Sequence, residues 1–337
     1  MGYSDMLQVE QIEDIAVIGA GVMGSGIAQT FAQAGYAVRL QARREDTLRA
    51  ARDRIAKNQE AVVRAGLLTG TAARDALARI RTTTDLAEAV RGCQFVSESV
   101  PEDLNVKHEV FAALDQHAPR EVVLSTDTSG LSIGAIAAAT TRPEVVVGFH
   151  WMNPPHLMPP IEVIRGPRTA DAAVDLTCDL ARRIGRVPIR VEKDVPGFLW
   201  NRLQLALVRE ALHVVEQGIA SPEAVDQAIT AGLGLRWAAV GPLRLMDLGG
   251  LATFHAIAGY LYRDLSAAQT PKGILADKVA AGETGLRAGR GFYAYPAGSA
   301  DASIAARDAR LFELLKLLRL PAFQGAPLPD AHRSVES

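Results

Sequence analysis

The sequence predicts an α/β domain built on a doubly wound parallel sheet, followed by an all-α C-terminal domain. Three observations lead there. From Asp14 to Glu192, short β-branched runs alternate with longer amphipathic stretches. A glycine-rich turn follows the first of those runs, and after Glu192 the strand-like runs stop while helical periodicity continues. At 337 residues the chain is long enough for two domains, each burying a core of its own.

Taken in order, Ile15-Ala16-Val17-Ile18, Ala37-Val38-Arg39-Leu40, Phe95-Val96, Val122-Val123-Leu124, Val145-Val146-Val147 and Pro188-Ile189-Arg190-Val191 read as strands. Their near-continuous apolar character suits parallel strands covered on both faces. Between them Gly26–Ala34, Thr47–Ala65 and Asn105–Gln116 carry helical periodicity. Beyond Pro196-Gly197, helices are expected at Phe198–Gln217, Asp247–Leu265, Ile274–Ala281 and Ile304–Leu318. Ser221 precedes Pro222, the signature of an N-cap followed by proline in the first turn. The expected organisation is residues 1–192 as the α/β domain, 193–320 as the helical domain and 321–337 as a proline-rich tail.

Composition excludes several classes. A formal net charge of −2 gives no electrostatic reason for a nucleic acid or an anionic membrane as partner. No run approaches the roughly 18 apolar residues of a membrane helix, and Met1 to Glu13 has no signal-peptide core. Cys93 and Cys178 make a poor disulfide framework and read as buried thiols of a cytoplasmic, soluble protein. No metal site is expected.

Gly19-Ala20-Gly21-Val22-Met23-Gly24 follows an apolar strand and opens a helix. The first glycine permits the tight turn, the second lets backbone approach a pyrophosphate, and the third lets helix and strand pack closely. In this strand-turn-helix-strand context the motif is the fingerprint of a Rossmann dinucleotide-binding domain. The end of the second strand bears on which dinucleotide. NAD enzymes usually place an acid there for the ribose hydroxyls, but the position falls at Ala42, with Arg43 and Arg44 directly after it. Two guanidinium groups suit a 2′-phosphate, so NADP(H) is favoured, with NAD(H) as the alternative. On that alternative the arginines are solvated loop charges and Glu45 or Asp46 serves the ribose.

The densest chemistry lies in Gly148-Phe149-His150-Trp151-Met152-Asn153-Pro154-Pro155, with Glu162 twelve residues after His150. A histidine at the C-terminal end of a parallel strand faces the crevice where such folds bind ligands. Imidazole can take a hydroxyl proton as hydride leaves, and a carboxylate fixes its tautomer. Glu162 begins a further strand, and a hairpin-like return would bring it beside His150. Trp151, Met152 and Met158 flank this segment, as an apolar substrate wall or simply as core.

With those residues in view, the chain resembles the 3-hydroxyacyl-CoA dehydrogenase family. His150, Asn153 and Glu162 fit its His-x-x-Asn-Pro segment and following Glu, and Asp127-Thr128-Ser129-Gly130 fits its serine segment. Pro196-Gly197-Phe198-Leu199-Trp200-Asn201-Arg202 matches its second-domain signature, and Gly289-Arg290-Gly291-Phe292-Tyr293 its C-terminal motif. The resemblance implies that His150 is the acid/base and Glu162 its orienting partner. It implies that Ser129 and Asn201 hydrogen-bond the reacting oxygen or substrate carbonyl, with Asn153 beside them. Glu98-Ser99-Val100-Pro101-Glu102 followed by Lys107 looks like the loop over the nicotinamide, which makes Glu102 and Lys107 cofactor contacts; the alternative is an exposed surface pair.

Gly232-Leu233-Gly234-Leu235-Arg236-Trp237-Ala238 looks closest to the branch that contains L-gulonate 3-dehydrogenase, lambda-crystallin and L-carnitine dehydrogenase. Those relatives act on small free hydroxy acids. The family's CoA-binding lysine and serine would align at Ala65 and Asn58, and neither side chain is retained. Arg236 is either an anchor for a substrate carboxylate or a residue of the subunit interface, since the resemblance implies a homodimer formed through the helical domain. The expected function is hydride transfer between a nicotinamide and a small 3-hydroxy or 3-oxo acid. The alternatives are a dehydrogenase of CoA thioesters and, more remotely, a non-catalytic, crystallin-like dinucleotide binder.

Overall fold

The structure, a computed structural model, describes residues 7–318. The expected tail at 321–337 lies outside the described residues. Two compact units divide at Leu199 and Trp200; the second runs to Ala306, and the chain from Arg307 rejoins the first.

The first unit carries β1 (Asp14–Ile18), α1 (Val22–Gln33), β2 (Ala37–Gln41), α2 (Glu45–Arg64), α3 (Gly70–Ala78), β3 (Ile80–Thr83) and α4 (Leu86–Val90). It continues with β4 (Phe95–Glu98), α5 (Leu104–His117), β5 (Val123–Thr126), α6 (Ile133–Ala137), β6 (Val146–Trp151), β7 (Pro160–Ile164), α7 (Asp171–Arg183) and β8 (Val187–Val191). These strands form one eight-stranded sheet in the order β3-β2-β1-β4-β5-β6-β7-β8. Strand order reverses beside β1, which is where such sheets open their ligand crevice. Every pairing is parallel except β6 with β7.

Every residue of β4, β5 and β6 is buried, as their apolar runs require. Two core clusters line the faces of the sheet, one around Phe31, Phe95, Phe149 and Trp151, the other around Phe111, Leu114, Ile133 and Ile136. Trp151 is therefore core, stacked edge-on against Phe31 and Phe149, and not a substrate wall. The edge strand β3 escapes sequence reading because Ile80-Arg81-Thr82-Thr83 buries only Ile80 and has no apolar run to detect. Cys93 and Cys178 are buried free thiols, and burial pushes Cys93 up to about 12.

The second unit holds α8 (Trp200–Glu216), α9 (Pro222–Ala228), α10 (Gly234–Ala239), α11 (Pro242–Gly249), α12 (Leu251–Leu261) and α13 (Ile274–Ala280). The single helix expected at Asp247–Leu265 is in fact α11 and α12, because the chain turns at Gly250 with φ +88°. Ser221 caps α9 by accepting the Ala224 N–H. A π-helical turn at Ile229–Leu233 leads into α10. The last helix, α14 (Ala300–Leu318), starts in the second unit and ends in the first. Among the described residues, no helix is long and apolar enough to cross a membrane.

Candidate active site

A groove of about 700 Å³ runs along the C-terminal ends of β1, β2 and β4, lined by Gly19 to Met23, Ala42 to Arg44, Ser99 and Val100. The glycines are needed for steric reasons. A Cβ on Gly24 would lie 1.8 Å from the Gly19 carbonyl oxygen, and one on Gly19 would lie 2.5 Å from that of Ser99. A Cβ on Gly21 would meet nothing within 4 Å, so bare backbone faces open space there. Gly21 is also the N-cap of α1, where unpaired N–H groups and the helix dipole favour an anion. The residues present fit a dinucleotide whose pyrophosphate rests on Gly21, Val22 and Met23.

Farther along the groove, Ala42 and both arginines line the wall. Arg44 is committed to Asp46, its Nε donating at 2.9 Å, while Arg43 makes no hydrogen bond among the described residues.

On β6, His150 stands directly opposite Glu162 of β7 in the antiparallel register. Their side chains meet, with His150 Nδ1 at 2.8 Å from Glu162 Oε2. The imidazole is 6% exposed and the carboxylate fully buried, so the pair is strong and its geometry fixed. With Nδ1–H donated to the carboxylate, the ring's lone pair sits on Nε2. Glu162 does a second job: its Oε1 accepts the Leu199 N–H at 2.9 Å. Leu199 follows Gly197 at φ +75° and Phe198 at φ +48°, a left-handed pair unusual for phenylalanine. Phe198 is buried and packs edge-on against the imidazole, ring centroids 5.8 Å apart.

Behind this pair lies Arg186, which sequence reasoning passed over. It donates to the carbonyls of His156 and Met158 and to the Thr30 hydroxyl, and lies over the Trp151 ring. Burial pushes its pKa down to about 10, and burial with the Arg186 and Arg307 charges pushes His156 down to about 4. The loop after His150 is thus held from below by a buried cation.

Lys107 is not a surface residue. It is 1% exposed and its ammonium binds both oxygens of Glu98, at 2.7 and 3.0 Å. Glu102 lies 3.7 Å from the same ammonium and accepts from the Thr128 and Ser129 hydroxyls and from the Ser129 N–H. Burial alone would raise Glu102, but the Thr128 bond and the Lys107 charge outweigh it and hold the carboxyl below its usual range. The structure therefore joins the expected cofactor residues Glu102 and Lys107 to the expected catalytic Ser129 in one network. Glu98, its centre, shows in the sequence only as an acid closing the apolar run Phe95-Val96-Ser97.

Asn153 is exposed on the loop after β6, Asn201 stands in the first turn of α8, and Arg236 is exposed on α10. In the C-terminal motif Lys278 donates to the Gly291 carbonyl and lies over the Phe292 ring. Among the described residues no cluster of three His, Cys, Asp or Glu could hold a metal ion.

Residues 14–195 match the NAD-binding domain of 3-hydroxyacyl-CoA dehydrogenase, and residues 197–295 its C-terminal domain. The chain is 34% identical over 307 residues to 5-formyl-3-hydroxy-2-methylpyridine 4-carboxylate 5-dehydrogenase of Mesorhizobium japonicum, covering 91% of this chain and 98% of that one. It is 37% identical to a probable 3-hydroxybutyryl-CoA dehydrogenase of Bacillus subtilis, over 85% of this chain and 98% of that one. The human lambda-crystallin homolog is 37% identical over 69% of this chain and 74% of its own. A crystal structure of the pyridine-carboxylic acid dehydrogenase, described as an NAD+ dependent dismutase, superposes with a TM-score of 0.85 at 34% identity, covering 92% of this chain and 99% of that one.

Proposed function

Because the chain belongs to the 3-hydroxyacyl-CoA dehydrogenase family and is an NAD-dependent oxidoreductase of that family, we propose that it acts on a small hydroxy or oxo acid that is not a CoA thioester. One observation carries this reading. On α2, where the family's CoA contacts would align, Asn58 is turned to Gln29, and Ala61 and Ala65 pack with Val62 and Leu157 against Phe312 and Leu315 of α14. That helix lies beyond the residues matching the two family domains, so the chain's own C-terminal segment covers this face with apolar side chains. The pyridine-carboxylate relative, aligned over nearly its whole length, acts on a substrate of the proposed kind.

When bound, the nicotinamide supplies the hydride acceptor or donor. His150 takes the substrate's hydroxyl proton at Nε2 in oxidation and returns it in reduction, while Glu162 holds the tautomer and stabilises the imidazolium. The family resemblance gives Ser129 and Asn201 hydrogen bonds to the reacting oxygen; to donate there the Ser129 hydroxyl turns from Glu102, which keeps the Ser129 N–H. Arg43 is the cation available to a 2′-phosphate and Ala42 offers no carboxylate against one, so NADP(H) is accepted beside NAD(H). Fluorescence titration with NADH and NADPH reads this directly; NADPH binding much weaker than NADH would make Arg43 a bystander.

The proposed enzyme is a cytoplasmic homodimer joined through its helical unit. Supporting this, no hydrophobic side chain from Trp200 to Ala306 is buried in the single chain, and Leu243 is 77% exposed. Such a surface is far beyond what a monomer leaves open. Arg236 on this unit is an interface residue in this reading.

A second reading, oxidation of a CoA thioester, is favoured by the similarity to the 3-hydroxybutyryl-CoA dehydrogenase. Paired assays separate them. The kcat/KM for free hydroxy acids, including hydroxymethylpyridine carboxylates and 3-hydroxybutyrate, should exceed that for 3-hydroxybutyryl-CoA by about a hundredfold. Preference for the thioester would overturn the proposal.

A further inference from the structure

The end of β5 places an acid that the proposed chemistry does not use. Asp127 follows Thr126, and its backbone N–H donates to the Glu98 carbonyl at 2.8 Å. In the same row, the Ser99 N–H donates to the Ile18 carbonyl at 2.7 Å. Asp127 Oδ1 accepts the Trp151 N–H at 2.8 Å, next to His150. These bonds set Gly19, Ser99, Asp127 and Trp151 side by side along the C-terminal ends of β1, β4, β5 and β6.

Counting charge at this spot decides the state of the acid. Among the described residues Lys107 of α5 is the one ammonium here; Glu98 of β4 binds it directly and Glu102 of the following loop faces it. Glu98 also accepts the Thr126 hydroxyl at 2.6 Å and the Val100 N–H at 2.6 Å. The turn Gly19 to Met23 brings no charged side chain, and β6 brings the Trp151 N–H together with the titratable His150 one residue before it, which is paired with Glu162. Asp127 would be a third carboxylate on a single ammonium, and among the described residues its Oδ2 has only the Ser99 hydroxyl, at 3.5 Å. Loss of hydration, aided by Glu98, accordingly pushes Asp127 well above the ordinary carboxylate range. Below that elevated pKa, Oδ2 carries a proton and donates.

The groove ends beside it: Ser99, which meets Asp127, is on the groove wall. A dinucleotide with its adenosine end at Arg43 and its pyrophosphate on the glycine turn has its nicotinamide end past Ser99, toward the strand that carries His150. Asp127 lies on that line and remains partly exposed. We propose that Asp127 binds the nicotinamide carboxamide, hydrogen-bonding it through Oδ2 and so setting which way the ring is turned.

The proposal rests on the dinucleotide reading of the groove, and ADP-ribose, which lacks the nicotinamide, separates the two. NADH and ADP-ribose are titrated against wild type, Asp127→Asn and Asp127→Ala from mildly acidic to alkaline pH. Ionisation of Asp127 removes the donor, so wild-type NADH affinity should be high below its elevated pKa and fall about tenfold above it. Asp127→Asn keeps a donor that does not titrate, so this fall should vanish. Asp127→Ala should bind NADH about tenfold more weakly than the Asn variant at every pH. ADP-ribose affinity should be alike in all three proteins. An Asn variant with the wild-type pH profile would overturn the proposal, as would equal losses of NADH and ADP-ribose in the Ala variant. Failure of wild type to bind ADP-ribose at all would overturn the dinucleotide reading, and this proposal with it.

Discussion

The two units of this chain bury their apolar residues in opposite ways. In the first, β4, β5 and β6 are sealed on both faces and even ionisable groups such as Glu98, Lys107 and Glu162 are inside. In the second, helices of comparable amphipathicity leave Leu203, Leu235, Leu248 and Tyr260 more than half exposed. A parallel sheet with helices on both faces closes its own core. The helices of the second unit leave their apolar stripes uncovered in the single chain. The difference teaches that the first unit closes its own core around its buried ionisable groups, whereas the second leaves apolar side chains open on the single chain.

The sharpest way to break this comparison is at the buried pair. His150→Ala should lower turnover by about 10³–10⁴-fold with NADH affinity nearly unchanged. A loss under tenfold would place the acid/base elsewhere. Next comes stability. Lys107→Met leaves Glu98 buried without its ammonium and should cost about 3–5 kcal/mol in urea unfolding. Its counterpart in the helical unit, Arg290→Ala, loses a pair whose arginine is 70% exposed and should leave the unfolding midpoint almost unchanged. Equal costs would erase the distinction between the units.

A smaller effect is expected at the open helical face. If the proposed dimer forms, Leu243→Asp should leave the fold of the single chain intact but raise that dimer's dissociation constant about tenfold or more, read by sedimentation equilibrium. An unchanged mass distribution would mean that this leucine faces solvent. Smallest is the cofactor preference: Ala42→Asp should shift the NADPH:NADH affinity ratio toward NADH by about tenfold, measured by the same fluorescence titration. No shift would show that the strand end does not read the ribose.

The family, the fold class and the glycine turn were legible because their requirements are local. A positive φ, a missing Cβ and an apolar run leave marks within a few residues, as at Gly19 to Gly24 and in β1, β2 and β4. His150 and Glu162 were readable as a pair because a hairpin-like return between two neighbouring strands brings them together, and the antiparallel register of β6 and β7 sets them opposite each other. Tertiary structure alone decided the rest. Lys107 read as a cofactor contact or as half of an exposed pair, and only α5 shows it laid against Glu98, because burial of a cation depends on a partner from another element. Strand β3 exists because β2 offers it an edge, and α11 parts from α12 at a glycine that sequence periodicity reads straight through. Packing of Phe312 and Leu315 onto α2 joins residues some 250 positions apart in the chain, a contact that no local pattern encodes. The sequence by itself determined which groups are present and which backbone turns are possible. Long-range burial decided which charges are paired, which acid is hardest to ionise and which face is closed.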